Sequence, residues 1–190
     1  MKAVYREPSG PCIRQRSAEG KSCVKAYGSV FFRMGRLRTR DQREEIAMII
    51  ETNSPEETFA FAQKLGLEAV PGQIFTLDGD LGVGKTVFAK GLAEGLGITE
   101  PVSSPTFTIV QEYTDGRLPL YHFDVYRIEE PEEMEEIGYD EYFNGDGVCL
   151  IEWADMIREL LPEDVIRIRI RKVPEKGFDY REISVEGMKE

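Results

Sequence analysis

The chain has 190 residues, 41% of them hydrophobic, which is enough for one domain with a substantial core. Its formal net charge of −11 is unevenly divided: residues 1–43 carry 11 Lys/Arg and 3 Asp/Glu, and the rest carry 13 and 32. A body that acidic is a poor direct partner for RNA or DNA, whose phosphates dominate affinity, and no apolar run approaches the ~18 residues of a membrane span.

The opening segment differs from the remainder. Residues 1–45 are Arg-rich and lack sustained periodicity. Three readings fit: a disordered basic tail, an organellar presequence, or a stretch that is not normally translated, with synthesis starting at Met48. The last is favoured, because Met48-Ile49-Ile50-Glu51-Thr52 opens directly onto the first helix signal. The codons of Arg43-Glu44-Glu45 can also spell a purine-rich GGAGGA tract at ribosome-binding distance. The expected organisation is a basic extension over residues 1–47 and one folded domain over 48–190. Cys12, Cys23 and Cys149 have neither metal nor redox spacing, and no signal-peptide core opens the chain, so a reducing cytoplasmic setting is expected.

Ser54-Pro55-Glu56-Glu57 is a capping box with Pro at the first helical position; it predicts a helix to about Leu65, stopped by Gly66. Pro71-Gly72 turns the chain into the apolar, β-rich run Gln73-Ile74-Phe75-Thr76-Leu77-Asp78. Next comes Gly79-Asp80-Leu81-Gly82-Val83-Gly84-Lys85-Thr86, which reads G-x-x-x-x-G-K-T, and then Val87 to Leu96 with apolar residues at helical spacing. Strand, glycine-rich turn and helix form the context of a phosphate-binding loop. The glycines let successive N–H groups turn inward around a polyphosphate, and the helix start aims its positive end at the same anion. Asp80, Leu81, Gly82, Val83, Gly84, Lys85, Thr86 and Val87 are therefore the expected nucleotide-binding residues, with Lys85 on the β- and γ-phosphates and the Thr86 hydroxyl on Mg²⁺.

A polar, Pro-punctuated connection over residues 100–105 leads to Thr106–Tyr113, which alternates like a strand. Asp115-Gly116 is a hairpin turn, so Leu118–Val125 returns antiparallel and the sheet is mixed. Glu129–Glu136 is an acidic helical stretch with a solvated face. Val148–Ile151 is wholly apolar, as expected of a central strand covered on both sides, and it ends at Glu152-Trp153. A helix over residues 154–161 stops at Pro162. Two alternating runs, Asp164–Val173 and Phe178–Val185, are expected to pair. The fold class is α/β: a P-loop NTPase-like three-layer sandwich around a mixed, partly antiparallel sheet.

A hydrolytic site needs a second acid at the end of a neighbouring strand, to hold Mg²⁺ and orient water. Glu152 closes the most hydrophobic strand, where an acid is costly unless paired or metal-bound. Asp124, in His122-Phe123-Asp124-Val125-Tyr126-Arg127, is the second candidate, with a structural salt bridge to Arg127 or Lys85 as the competing role. His122, the only histidine, reads as a structural residue rather than a metal ligand. Trp153 reads as core, with stacking beside a nucleotide as the alternative. Thr106 sits where phosphate-sensing switches sit in P-loop proteins.

A GTPase is excluded, because the only asparagines, Asn53 and Asn144, precede Ser54 and Gly145 rather than forming Asn-Lys-x-Asp. A larger motor ATPase needs more chain. A small-metabolite kinase stays open as the alternative, although Arg167, Arg169 and Arg171 at strand spacing do not make the usual lid. Four motifs in order, Gly79 to Thr86, Ser104-Pro105-Thr106-Phe107, His122 to Arg127 and Ile151-Glu152-Trp153, resemble the TsaE (YjeE) ATPase family of bacterial tRNA threonylcarbamoyladenosine biosynthesis. The resemblance runs from about residue 48 onward. It implies a Mg²⁺-dependent ATPase that uses ATP to support the TsaB–TsaD pair; the lack of an evident arginine finger makes it slow alone, and the acidic charge leaves tRNA to that complex. It further implies that Lys85 and Thr86 bind phosphate and Mg²⁺, that Glu152 completes the metal site, that Thr106 belongs to a switch-like segment, and that Asp124 and Trp153 act around the nucleotide. Val87 departs from the family pattern, where a second Thr or Ser is common, which implies weaker rather than absent binding.

Overall fold

The computed structural model describes residues 24–27, 30–38 and 44–188. Among them, nine strands form one sheet: β1 (Val24–Tyr27), β2 (Val30–Arg38), β3 (Glu44–Thr52), β4 (Ile74–Asp78), β5 (Val110–Tyr113), β6 (Leu120–Asp124), β7 (Val148–Glu152), β8 (Ile166–Lys172) and β9 (Arg181–Glu186). Their spatial order is β1-β2-β3-β9-β8-β4-β7-β6-β5. The core of the sheet is parallel, with β4 flanked by β7 and β8, and β6 beside β7. The pairs outside that core are antiparallel, including the expected β5–β6 and β8–β9 hairpins. The sheet is thus mixed, as its sequence implies. Of the expected N-terminal extension, residues 1–23, 28–29 and 39–43 lie outside the described residues; the boundary expected at residue 48 falls within β3.

Helices α1 (Pro55–Glu68) and α2 (Lys85–Gly95) cover one face. The capping box forms: Ser54 Oγ accepts from the Glu57 N–H at 3.3 Å, and the Glu57 carboxylate reaches back to the Asn53 N–H at 2.7 Å. Helix α1 continues past Gly66, which is a crossing residue rather than a stop. A Cβ there would lie 2.2 Å from the Leu92 carbonyl oxygen and 2.9 Å from Gly95 Cα, so the two backbones meet where neither has a side chain. Phe61, Leu65, Phe88 and Leu92 pack with Phe75, Leu77, Leu150 and Ile168 of the sheet. A second core joins Phe123, Cys149 and Ile151 to Met134, Phe143 and Ile157. Those last three come from α3 (Glu133–Glu136), α4 (Tyr139–Phe143) and a 3₁₀ segment over Ala154–Leu160. Every residue of β7 is buried, which explains its uninterrupted apolar run.

Three local expectations change. Residues 106–108 form a turn instead of strand, because the Thr108 and Ile109 N–H groups both donate to the Pro105 carbonyl, at 3.0 and 2.8 Å. Ile109 then takes a left-handed φ of 65° before β5 begins. The segment after Trp153 is 3₁₀ with non-helical Ile157 inside it, and the acidic stretch is helical only over Glu133–Glu136. The short α4 carries no periodic signal of its own; it starts at Gly138, whose φ is 66°.

Candidate functional site

Strands β4, β6 and β7 run parallel and finish at one edge, with Leu77 and Asp124 both in register with Glu152. Chemistry gathers at such carboxyl ends in open α/β sheets, because the loops leaving them splay apart. The glycine-rich loop leaves β4 there. Gly79 (φ 149°) passes so close to β8 that a Cβ would lie 2.6 Å from the Ile170 carbonyl oxygen. Gly84 (φ 114°) is the opposite case: nothing lies within 4 Å of the Cβ position, so its backbone is open to an approaching group. Val83 is buried and pins the loop down, while Leu81 is exposed at its tip. From β9, Arg181 Nε donates to the Val83 carbonyl at 2.7 Å, a brace that nothing in the sequence pattern reveals.

Lys85 is 6% exposed, and its Nζ donates to the carbonyl oxygens of Gly79 (2.8 Å) and Asp80 (3.4 Å). The ammonium also lies 4.3 Å from the centroid of the Trp153 ring. Trp153 is neither plain core nor free: it is half-buried, has a left-handed φ of 63°, and packs against Tyr126 at 5.0 Å between centroids. A non-glycine residue in that conformation stores of the order of 1–3 kcal/mol and belongs where geometry matters more than stability. Thr86 is exposed on the first turn of α2, and Val87 beside it is half-buried.

Two acids stand side by side at the strand ends, each with different partners. Asp124 is buried; its Oδ2 accepts from Ser104 Oγ (2.9 Å) and Thr106 Oγ1 (2.6 Å), and its Oδ1 accepts from the Tyr126 N–H (3.2 Å). These hydroxyls and an amide are its partners in place of the salt bridge considered above, and Arg127 instead lies over the Phe107 ring at 4.7 Å. Asp124 therefore ties the Ser104–Thr106 turn to β6. Glu152 is 2% exposed, and its Oε1 lies 3.0 Å from His122 Nε2. A third acid, Asp78, ends β4 just before the loop. Burial pushes its carboxyl up, helped by the Asp155 charge and opposed by Arg169 and Lys85. Its neighbours across the sheet, not its local pattern, make it notable.

Lys85, Glu152, Asp124 and Thr106 thus meet at one edge, as does Trp153. Among the described residues, no group of three or more His, Cys, Asp and Glu is arranged to hold a metal ion. No helix among them is long and apolar enough to cross a membrane.

The family model for the threonylcarbamoyl adenosine biosynthesis protein TsaE matches residues 52–183, a span that includes every side chain just described. The chain belongs to the TsaE family. A TsaE relative from Bacillus subtilis, a tRNA threonylcarbamoyladenosine biosynthesis protein, is 57% identical over 133 residues, covering 70% of this chain and 81% of the relative. One from Treponema pallidum is 42% identical over 134 residues, covering 70% and 96%. A crystal structure of Bacillus subtilis YdiB superposes with a TM-score of 0.66 at 49% identity, covering 76% of this chain and 87% of that one. The fold is accordingly the P-loop α/β sandwich of TsaE proteins.

Proposed function

We propose that this TsaE chain binds ATP with Mg²⁺ at the loop of residues 79–86, hydrolyses it slowly, and serves tRNA threonylcarbamoyladenosine biosynthesis as an accessory subunit beside TsaB- and TsaD-type proteins. The observation that carries the reading is a backbone cradle open at Gly84, with the Lys85 ammonium at its mouth and a buried carboxylate, Glu152, one strand away. Those residues suit a magnesium triphosphate. Lys85 is held by two carbonyl oxygens, weak competitors for an ammonium when phosphate oxygens arrive, and Trp153 limits where it can swing. Thr86 and Glu152 would hold the metal, which prefers few protein oxygens alongside water and phosphate. Bound there, Mg²⁺ would neutralise charge on the terminal phosphates. Glu152 would orient the attacking water. The turn carrying Thr106 is fastened to Asp124 and would sense the terminal phosphate through that bond.

Slow turnover without partners is the reading, because the two arginines placed beside these motifs are engaged elsewhere: Arg181 with the Val83 carbonyl, and Arg127 with the Phe107 ring. The tRNA would be handled by the partners, because the acidic body repels phosphates. Calorimetry should detect uptake of Mg-ATP by the parent chain and at least a tenfold weaker uptake by Lys85→Ala. Reconstitution with TsaB- and TsaD-type proteins should make threonylcarbamoyl transfer to tRNA depend on ATP and on Lys85. Phosphate transfer to a small metabolite instead would favour the kinase alternative.

A further inference from the structure

The structure assigns His122 as a positioning residue for Glu152: its imidazole, in the Nε2–H tautomer, donates to one carboxylate oxygen and so holds that carboxylate at the end of its strand. Strands β6 and β7 pair with His122 opposite Leu150 and Asp124 opposite Glu152. Because side chains alternate along a strand, His122 and Asp124 share a face with Glu152, and His122 is its diagonal neighbour. Without a donor, Glu152 would be a second buried carboxylate directly beside Asp124. Asp124 has three donors of its own, and Glu152 has the imidazole. The His122 and Glu152 side chains are 0% and 3% exposed.

The tautomer follows from the inventory of partners. Nε2 is the ring nitrogen that faces a carboxylate oxygen, at 3.0 Å, and the hydrogen of that contact is assigned to the ring. Nδ1 is buried and has no hydrogen-bond partner among the described residues. A bare lone pair there costs less than an N–H without an acceptor, which favours the Nε2–H tautomer. A ring that spends an N–H on Glu152 and meets no partner at Nδ1 does not serve the fold at two points, as a core histidine would. It fixes a single carboxylate rotamer, in the way an outer partner orients a metal-binding side chain.

This assignment deepens the ATPase reading, and rests on it for the kinetic consequence alone. Being the only histidine, His122 gives one imidazole signal set in the full chain, provided no histidine tag is present. Long-range ¹H–¹⁵N spectra at neutral pH should show a protonated Nε2 and a bare Nδ1, and Glu152→Ala should move the Nε2–H resonance upfield or lose it to exchange. An Nδ1–H tautomer or indifference to Glu152→Ala would overturn the assignment. In kinetics, His122→Phe keeps the bulk without the donor and should lower kcat about 10- to 100-fold, with Mg-ATP affinity changed far less. His122→Gln, whose amide nitrogen can stand near the Nε2 position, should recover most of that loss. Equal kcat for the parent and both folded variants would overturn the positioning role. Should His122→Phe fail to fold, the parent and Glu152→Ala spectra still decide. A parent chain that hydrolyses no ATP would sink the ATPase reading, and the spectra alone would then decide the bond to Glu152.

Discussion

Asp78 occupies an awkward place for a carboxylate: it ends a buried strand, leans on the Ala154 backbone, and has Asp155 nearby. Burial is the largest influence and raises its pKa; Arg169 and Lys85 counter only in part. The ionised form is thus penalised in the folded state relative to the unfolded chain. That penalty is absent below the ordinary carboxylate value of 3.8, grows as pH rises through it, and is complete above the raised folded value. Asp78→Asn, which keeps an acceptor for Ala154, should therefore melt higher than the parent at neutral pH, and the difference should vanish as pH falls below the ordinary carboxylate range. Thermal scans across pH check this; a gap that widened on acidification would contradict it. Trp153 offers a second test at this scale. It is the only tryptophan and lies 4.3 Å from the Lys85 ammonium, so its fluorescence should change when Mg-ATP draws Lys85 away, and should not change in Lys85→Ala. The loop glycines, Lys85 and Glu152 were legible in the sequence because their chemistry is local: a fixed spacing between a strand and a helix, or an acid closing an apolar run. The bonds from His122 to Glu152 and from Asp124 to Ser104 and Thr106 were not. They depend on which strands pair, and they span 30, 20 and 18 residues.

Elements were legible where one periodicity ran undisturbed, as in β4, β7 and the β8–β9 hairpin, and were misread where a local bond competed. Pro105 captures two N–H groups and turns residues 106–108 out of the strand that their alternation suggests. Gly66 looked like a stop because glycine usually ends helices. Its actual duty is steric and shared with α2. A Cβ on Gly95 would sit 2.1 Å from the Gln63 carbonyl oxygen and 2.8 Å from Gly66 Cα, backbone atoms that cannot step aside. Gly95→Ala should force the helices apart and cost about 1–3 kcal/mol, roughly 2–12 °C in melting temperature for a chain this size. Lys90→Ala, at an exposed position of the same helix, is the control and should change little. If both variants melted alike, the close crossing would not limit the packing of α1 on α2. Because α2 begins at the loop, the Gly95 variant should also bind Mg-ATP less tightly.

At the scale of the whole molecule, the sheet suggests how much chain the domain needs. Strand β3 bridges two regions: it pairs with β2 through residues 44–51 and with β9 through residues 48–52. A chain beginning at Met48 would lose the first partner and keep all of the second, from Met48 opposite Val185 to Thr52 opposite Arg181. It would also keep Ile50, which is fully buried, and the 2.8 Å hydroxyl bond between Thr52 and Thr58 that joins β3 to α1. The new edge would be short and carry Glu51, features that discourage edge-to-edge association. Residues 48–190 should therefore fold alone, melt within a few degrees of the full chain, and bind Mg-ATP equally well. A chain beginning at residue 53 is the sharper comparison, because it removes Ile50 and the whole β9 ladder. Burial of one such side chain is worth about 1.5–3 kcal/mol, so that shorter chain should melt roughly 3–12 °C lower or fail to fold. Were the two truncations to melt together well below the parent, β2 would be part of the domain, and the acidic body would not begin at Met48.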